Sequence, residues 1–163
     1  MEAVGASVSL RNCIIWYNRV VTWVVYLSYP LLLATLAVRT DPAFFPALLV
    51  PGISFVLLSL CRDRINAPRP YEKFGVPSVI SKGTKGHSFP SRHVFSIFII
   101  AVTMFRFAPV IGVVVGIAGA LLAVSRVFGG VHFPRDVIAG AVIGLGCGIL
   151  GFWVIVPFLQ NLL

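Results

Sequence analysis

The sequence predicts an all-α, polytopic membrane bundle of about five transmembrane helices, built on one integral-membrane domain over residues 1–163. Two observations carry this. Hydrophobic residues make up 58% of the chain and charged residues only 11%, and the mean hydropathy is +0.98. That composition lies outside the soluble range and needs lipid around most of the chain. The apolar residues are also gathered into long runs divided by short polar turns, and at about 20 residues per span no separate soluble domain fits.

The first span is expected over residues 20–38 and the second over 43–60, as a helical hairpin closed by Arg39-Thr40-Asp41-Pro42. Ahead of them, residues 9–19 mix Trp16 and Tyr17 with Arg11 and Arg19, the composition of an interfacial helix or of the frayed start of a long first span. No basic start, short apolar run and small-residue cleavage site follow one another there, so a cleavable signal peptide is not expected. The third span is short, over 93–104, reaching Phe107 if Arg106 snorkels. The fourth is expected over 110–127 and the fifth over 137–159, separated by a break from Phe128 to Asp136. Gly112, Gly116 and Ala120, and then Gly140, Gly144 and Gly148, recur every fourth residue, so the fourth and fifth spans are expected to pack closely on each other. Cys13, Cys61 and Cys147 form neither a metal-ligand spacing nor an even disulfide set.

Polar residues are scarce enough that their placement is informative. They form three clusters: Arg62 with Arg69-Pro70, then Pro90-Ser91-Arg92-His93, then Ser125-Arg126 with His132 and Asp136. The first two clusters share the loop between the second and third spans, and two helices separate that loop from the third cluster and from the N-terminus, which puts all three clusters on one face of the membrane. Seven of the thirteen lysines and arginines fall between Arg62 and Arg92, opposed there only by Asp63 and Glu72. Lys73, Lys82 and Lys85 fit a loop obeying the positive-inside rule or one binding anionic head groups. His87 reads as a surface residue of that loop, and no nucleic-acid partner is expected.

Ionisable side chains at helix ends around a shared pocket are functional candidates, because burying them unpartnered near hydrocarbon costs several kcal/mol. His132 precedes Pro134, a favoured first residue of a helix, and so sits where free amides and the helix dipole attract an anion. Asp136 can hold one imidazole nitrogen and leave the other as a nucleophile toward phosphorus. Pro90 turns the chain into the third span, so Ser91 and the Arg92 amide can face phosphate oxygens while His93 donates a proton to a leaving oxygen. Guanidinium groups of Arg62, Arg69 and Arg126 can surround a phosphoryl group in transfer. This set requires no metal and no other cofactor.

Together these residues resemble the type 2 phosphatidic acid phosphatases, whose site is similar to that of vanadium haloperoxidases and glucose-6-phosphatase. The family pattern is Lys-x6-Arg-Pro, Pro-Ser-Gly-His, and Ser-Arg-x5-His-x3-Asp. The third motif is complete as Ser125, Arg126, His132 and Asp136; Arg92 replaces the glycine of the second, and Arg62 the lysine of the first. The resemblance runs from about residue 58 to the last span. It implies a haloperoxidase-like helical core of six helices, of which the first is here missing or reduced to residues 9–19.

The resemblance further implies that His132 attacks phosphorus to form a phosphohistidine, that Asp136 orients it, and that His93 protonates the departing oxygen. Arg62, Arg69, Ser91, Arg92 and Arg126 would then hold the phosphoryl oxygens, Arg92 through its backbone amide. A pocket at head-group depth suits a lipid phosphate or diphosphate with its tail in the bilayer: phosphatidic acid, phosphatidylglycerophosphate or a polyprenyl diphosphate. The alternatives are a phosphotransferase that passes the phosphate to another acceptor, and a non-enzymatic carrier of anionic lipids. A multi-pass protein of the bacterial cell membrane is expected. Loop cations put the site inside, whereas bacterial members of the family place it outside.

Overall fold

The computed structural model describes residues 8–75, 78–79 and 85–162; Lys82 of the cationic loop lies outside them. The described elements are helical throughout: α1 (Val8–Val38), α2 (Phe44–Ile65), α3 (Pro70–Phe74), α4 (Arg92–Phe107), α5 (Pro109–Phe128) and α6 (Pro134–Leu150). A π-helical turn over Gly151–Ile155 then leads into α7 (Val156–Gln160). Among the described residues, four segments are long and apolar enough to cross a membrane: Arg11–Val38, Phe44–Phe74, Pro109–Phe128 and Pro134–Gln160. Their outward faces carry large apolar side chains such as Trp23, Leu31, Val113 and Val142, which lipid can cover.

The third expected span is α4, and it differs in kind. Its 16 residues rise about 24 Å, short of a hydrocarbon core about 30 Å thick. Ten of the sixteen are buried, from Val94 to Met104, because α1, α2, α5 and α6 all pack around this helix. Protein, not lipid, satisfies its apolar surface, so it need not reach both interfaces.

Of the two readings of residues 9–19, the structure takes the second: they are the N-terminal part of α1, which continues unbroken to Val38. The side chains there explain it: Tyr17 donates its hydroxyl to the Ala118 carbonyl at 3.0 Å, so α5 gives this segment a partner inside the bundle. One expectation is corrected: the glycine faces of the fourth and fifth spans do not pack on each other, since α4 lies between α5 and α6. A Cβ on Gly112 would stand 2.4 Å from the Phe105 backbone, and one on Gly144 2.6 Å from the Phe95 carbonyl. Both sets of glycines therefore admit α4. An apolar groove of about 520 Å³ remains between α5 and α6, floored by Ala101 and Val102.

Candidate active site

Three helix ends meet at one face of the bundle, and short-range rules account for each. α6 starts at Pro134, whose fixed φ and missing N–H suit a first helical position. Asp136, in its first turn, folds back to accept the Phe133 N–H on Oδ2 at 3.0 Å, one half of a capping box. α4 starts after Ser91, whose own N–H donates to the Asp136 carbonyl at 2.9 Å. That bond locks the two helix starts together. α2 ends where Asn66 turns left-handed at φ 40° and donates its N–H to the Arg62 carbonyl.

Within this junction His132 is 1% exposed and Asp136 fully buried, and Nδ1 of the imidazole lies 3.6 Å from Oδ2 of the carboxylate. The pair belongs to the loop and first turn between α5 and α6. Arg126, near the C-terminal end of α5, is 4% exposed, and its Nε has no hydrogen-bond partner. The buried Ser91 hydroxyl has none either. His93, the second residue of α4, is half-buried with its ring stacked on Tyr26 at 6.5 Å between centroids.

Arg62 and Arg69 also come to the junction, and both are buried. Arg69 donates Nε to the Gly86 carbonyl at 2.9 Å, Nη1 to Val131 at 3.3 Å and Nη2 to His87 at 3.4 Å. Arg62 donates Nε to the same His87 carbonyl at 2.8 Å and bonds it through Nη2 as well. The two guanidiniums thus brace the chain ahead of α4 and the His132 loop. Arg92 differs: its side chain is exposed and its guanidinium lies 5.5 Å over the Phe55 ring, so only its backbone sits in the helix start.

Several residues at the junction escaped the sequence reading. Ser88, fully buried, donates its hydroxyl to Asp136 Oδ2 at 2.5 Å. Asn66 Oδ1 and Glu72 Oε1 accept the His87 and Gly86 N–H groups. The His87 ring does reach the surface, 3.1 Å from Asp63, but its carbonyl is the hub that both arginines share. Asn18 of α1 donates to the Ser125 hydroxyl at 3.0 Å, which ties the first helix to the end of α5. A lone amide inside an apolar span was the available signal, because such groups bond across helices.

Charge is unevenly distributed at this junction. Among the described buried residues there are three guanidiniums, Arg62, Arg69 and Arg126, and one carboxylate, Asp136. Burial pushes the His132 imidazole down to about 4; the Asp136 carboxylate opposes this, and the Arg69 and Arg126 charges add to it. A neutral imidazole leaves the site two positive charges in excess, a state that demands an anion. Nδ1 is the nitrogen turned to Asp136, beyond hydrogen-bond distance at 3.6 Å, so a proton held there would leave the lone pair on Nε2. Among the described residues, no three His, Cys, Asp or Glu side chains converge as metal ligands.

An all-helical membrane bundle whose helix ends gather arginines around a histidine and a carboxylate is a membrane protein built to hold an oxyanion. A sequence model of the PAP2 superfamily matches residues 43–159, and the chain belongs to that superfamily. The crystal structure of Aquifex aeolicus LpxE is similar to it with a TM-score of 0.72 and 26% identity, over 92% of this chain and 90% of that one. The first transmembrane PAP2 type phosphatidylglycerolphosphate phosphatase from Bacillus subtilis shares the fold, with a TM-score of 0.63 and 23% identity, over 98% and 84% of the two chains. The bacitracin transport permease protein BcrC of Bacillus licheniformis is 36% identical over 67 residues, 41% of this chain. That stretch spans only 33% of the relative's length.

Proposed function

We propose that this protein is a lipid phosphate phosphatase of the bacterial cell membrane, hydrolysing the terminal phosphate of a lipid monophosphate or diphosphate through a phosphohistidine at His132. The observation that carries the reading is the buried surplus of two positive charges around a neutral histidine, which matches a phosphoryl dianion. A fold relative that is a phosphatidylglycerolphosphate phosphatase adds support for a lipid substrate.

In the first step Nε2 of His132 attacks phosphorus, the bond from phosphorus to the leaving oxygen breaks, and His93 gives that oxygen its proton. Asp136 holds the imidazolium as charge develops on it. Arg126 and the first amides of α4 receive the three equatorial oxygens, aided by the charge of Arg62 and Arg69. In the second step His93 takes a proton from water, whose oxygen displaces the imidazole and releases inorganic phosphate. The lipid moiety stays in the bilayer throughout, because a site at the ends of membrane-spanning helices lies at head-group depth.

The test is phosphate release by detergent-purified protein from a panel of lipid mono- and diphosphates, with chelator present and in water labelled with heavy oxygen. Release that persists in chelator, carries one labelled oxygen and falls by about 10³-fold or more in His132→Ala supports the proposal. Unlabelled phosphate on an acceptor would make the protein a transferase. Transport of lipid that survives His132→Ala, with no phosphate released, would make it a carrier.

A further inference from the structure

Gly86, His87 and Ser88, one residue short of the second cluster, form a strip in which most backbone polar groups are engaged. The Gly86 N–H donates to Glu72 and its carbonyl accepts from Arg69. The His87 N–H donates to Asn66 and its carbonyl accepts from both Arg62 and Arg69. The Ser88 N–H donates to the Ala67 carbonyl at 2.9 Å. What remains is the Ser88 hydroxyl, and it crosses to Asp136 Oδ2 at 2.5 Å, both residues fully buried.

That oxygen is the one facing His132. It accepts Ser88 and Phe133, and Nδ1 of the imidazole lies 3.6 Å away. The other oxygen, Oδ1, has no hydrogen-bond partner, although the exposed Arg135 guanidinium approaches it with Nε at 3.6 Å. Among hydrogen bonds, rotation of the carboxylate about its last bond is therefore opposed by the two donors on Oδ2. One of these, the Phe133 amide, belongs to the same helix start; Ser88 is the one that comes from elsewhere in the fold.

We propose that Ser88 is a positioning residue for the reaction: its hydroxyl fixes Asp136 Oδ2 toward His132 Nδ1, so that the imidazole keeps its proton on Nδ1 and presents Nε2 to phosphorus. The strip also gives Arg62 and Arg69 a second role, since the carbonyl they clamp at His87 is adjacent to the serine they thereby hold in place. The kinetic arm of the test rests on the phosphatase reading; the spectroscopic arm does not.

The experiment compares wild type, Ser88→Ala, Asp136→Asn and the double variant, each shown folded by its thermal melt in detergent. Ser88→Ala is expected to lower kcat by about 10–100-fold, the usual range for loss of a group that orients a catalytic ligand, with KM changed by less than about threefold. In the Asp136→Asn background the same change is expected to cost less than about threefold, since the two act in one chain of contacts. Nitrogen NMR of labelled His132 is expected to show the Nδ1-protonated tautomer in wild type and a mixture in Ser88→Ala. Equal, multiplicative losses in both backgrounds, or an unchanged tautomer, overturn the proposal. If wild type releases no phosphate from any lipid, the phosphatase reading fails while the tautomer measurement still decides the role of Ser88. Should Ser88→Ala not fold, Ser88→Cys, which keeps the volume and donates weakly, carries the same measurements.

Discussion

Replacing Gly140 by alanine tests the packing that brings the starts of α4 and α6 together at the candidate site. A Cβ at this position would lie 2.6 Å from the Ser91 carbonyl oxygen and 3.3 Å from the Phe95 nitrogen, where ordinary contact begins at 3.4 Å. Both neighbours are backbone, so no side-chain rotation relieves the overlap and α4 must retreat from α6. The deficit against Ser91 is 0.8 Å by the same figures. Overpacking of this kind costs about 1–3 kcal/mol, and at about 2–4 °C per kcal/mol for a chain of this size the melting temperature should fall by several degrees. The larger effect should be on turnover. Ser91 directly precedes α4 and donates its backbone N–H to the Asp136 carbonyl, and a displacement approaching 1 Å can cost about 10²-fold in rate. Gly146 is the control: it lies on the same helix with nothing within 4 Å of its would-be Cβ. Gly146→Ala should leave turnover within about twofold and hold or raise the melting temperature, since alanine is favoured over glycine in a helix by about 1 kcal/mol. Thermal melts in detergent and phosphate release read both variants. Indistinguishable behaviour of the two would refute the claim that α4 and α6 meet backbone to backbone at Gly140.

Other expectations follow from the same geometry. His132 should remain neutral down to about pH 4, so the acid limb of kcat/KM that reports the nucleophile should lie near there; a limb at about pH 6.5, the ordinary histidine value, would contradict the burial argument. The same shift has a stability consequence with a definite sign. The unfolded chain takes up this proton near pH 6.5 and the folded one only near 4, so stability is complete above 6.5 and falls by about 3 kcal/mol as pH drops through that interval. Stability followed against pH in wild type and His132→Gln should show the fall only in wild type. Arg69→Lys should destabilise by about 2–4 kcal/mol, because one ammonium cannot serve three backbone carbonyls that guanidinium geometry reaches together; an unchanged melting temperature would show those contacts to be dispensable.

The membrane class, the helix order and the three polar clusters were all legible in one dimension, because each rests on local physics. Lipid demands runs of apolar residues, proline and glycine mark helix starts and turns, and an even number of crossings returns the chain to the same face. Spacing likewise brought His132 and Asp136 within one helical turn. The sequence reading failed wherever a residue's meaning depended on what packs against it. The glycines of α5 and α6 looked like a mutual interface, yet both faces admit α4, and no local pattern distinguishes a small-residue face by its partner. Residues 9–19 left two readings open, because their aromatic and basic side chains suit an interfacial helix as well as the start of a long span; the contact of Tyr17 with α5 goes with the second. Arg62 and Arg69 were recognisable as cations, but their grip on the Gly86 and His87 carbonyls was not, since backbone acceptors carry no sequence signal. Ser88 is the clearest instance. A serine in a glycine- and lysine-rich loop has nothing to mark it, and its bond to Asp136 spans 48 positions of the chain. Only folding, by closing that distance and expelling water from both groups, makes it part of the site.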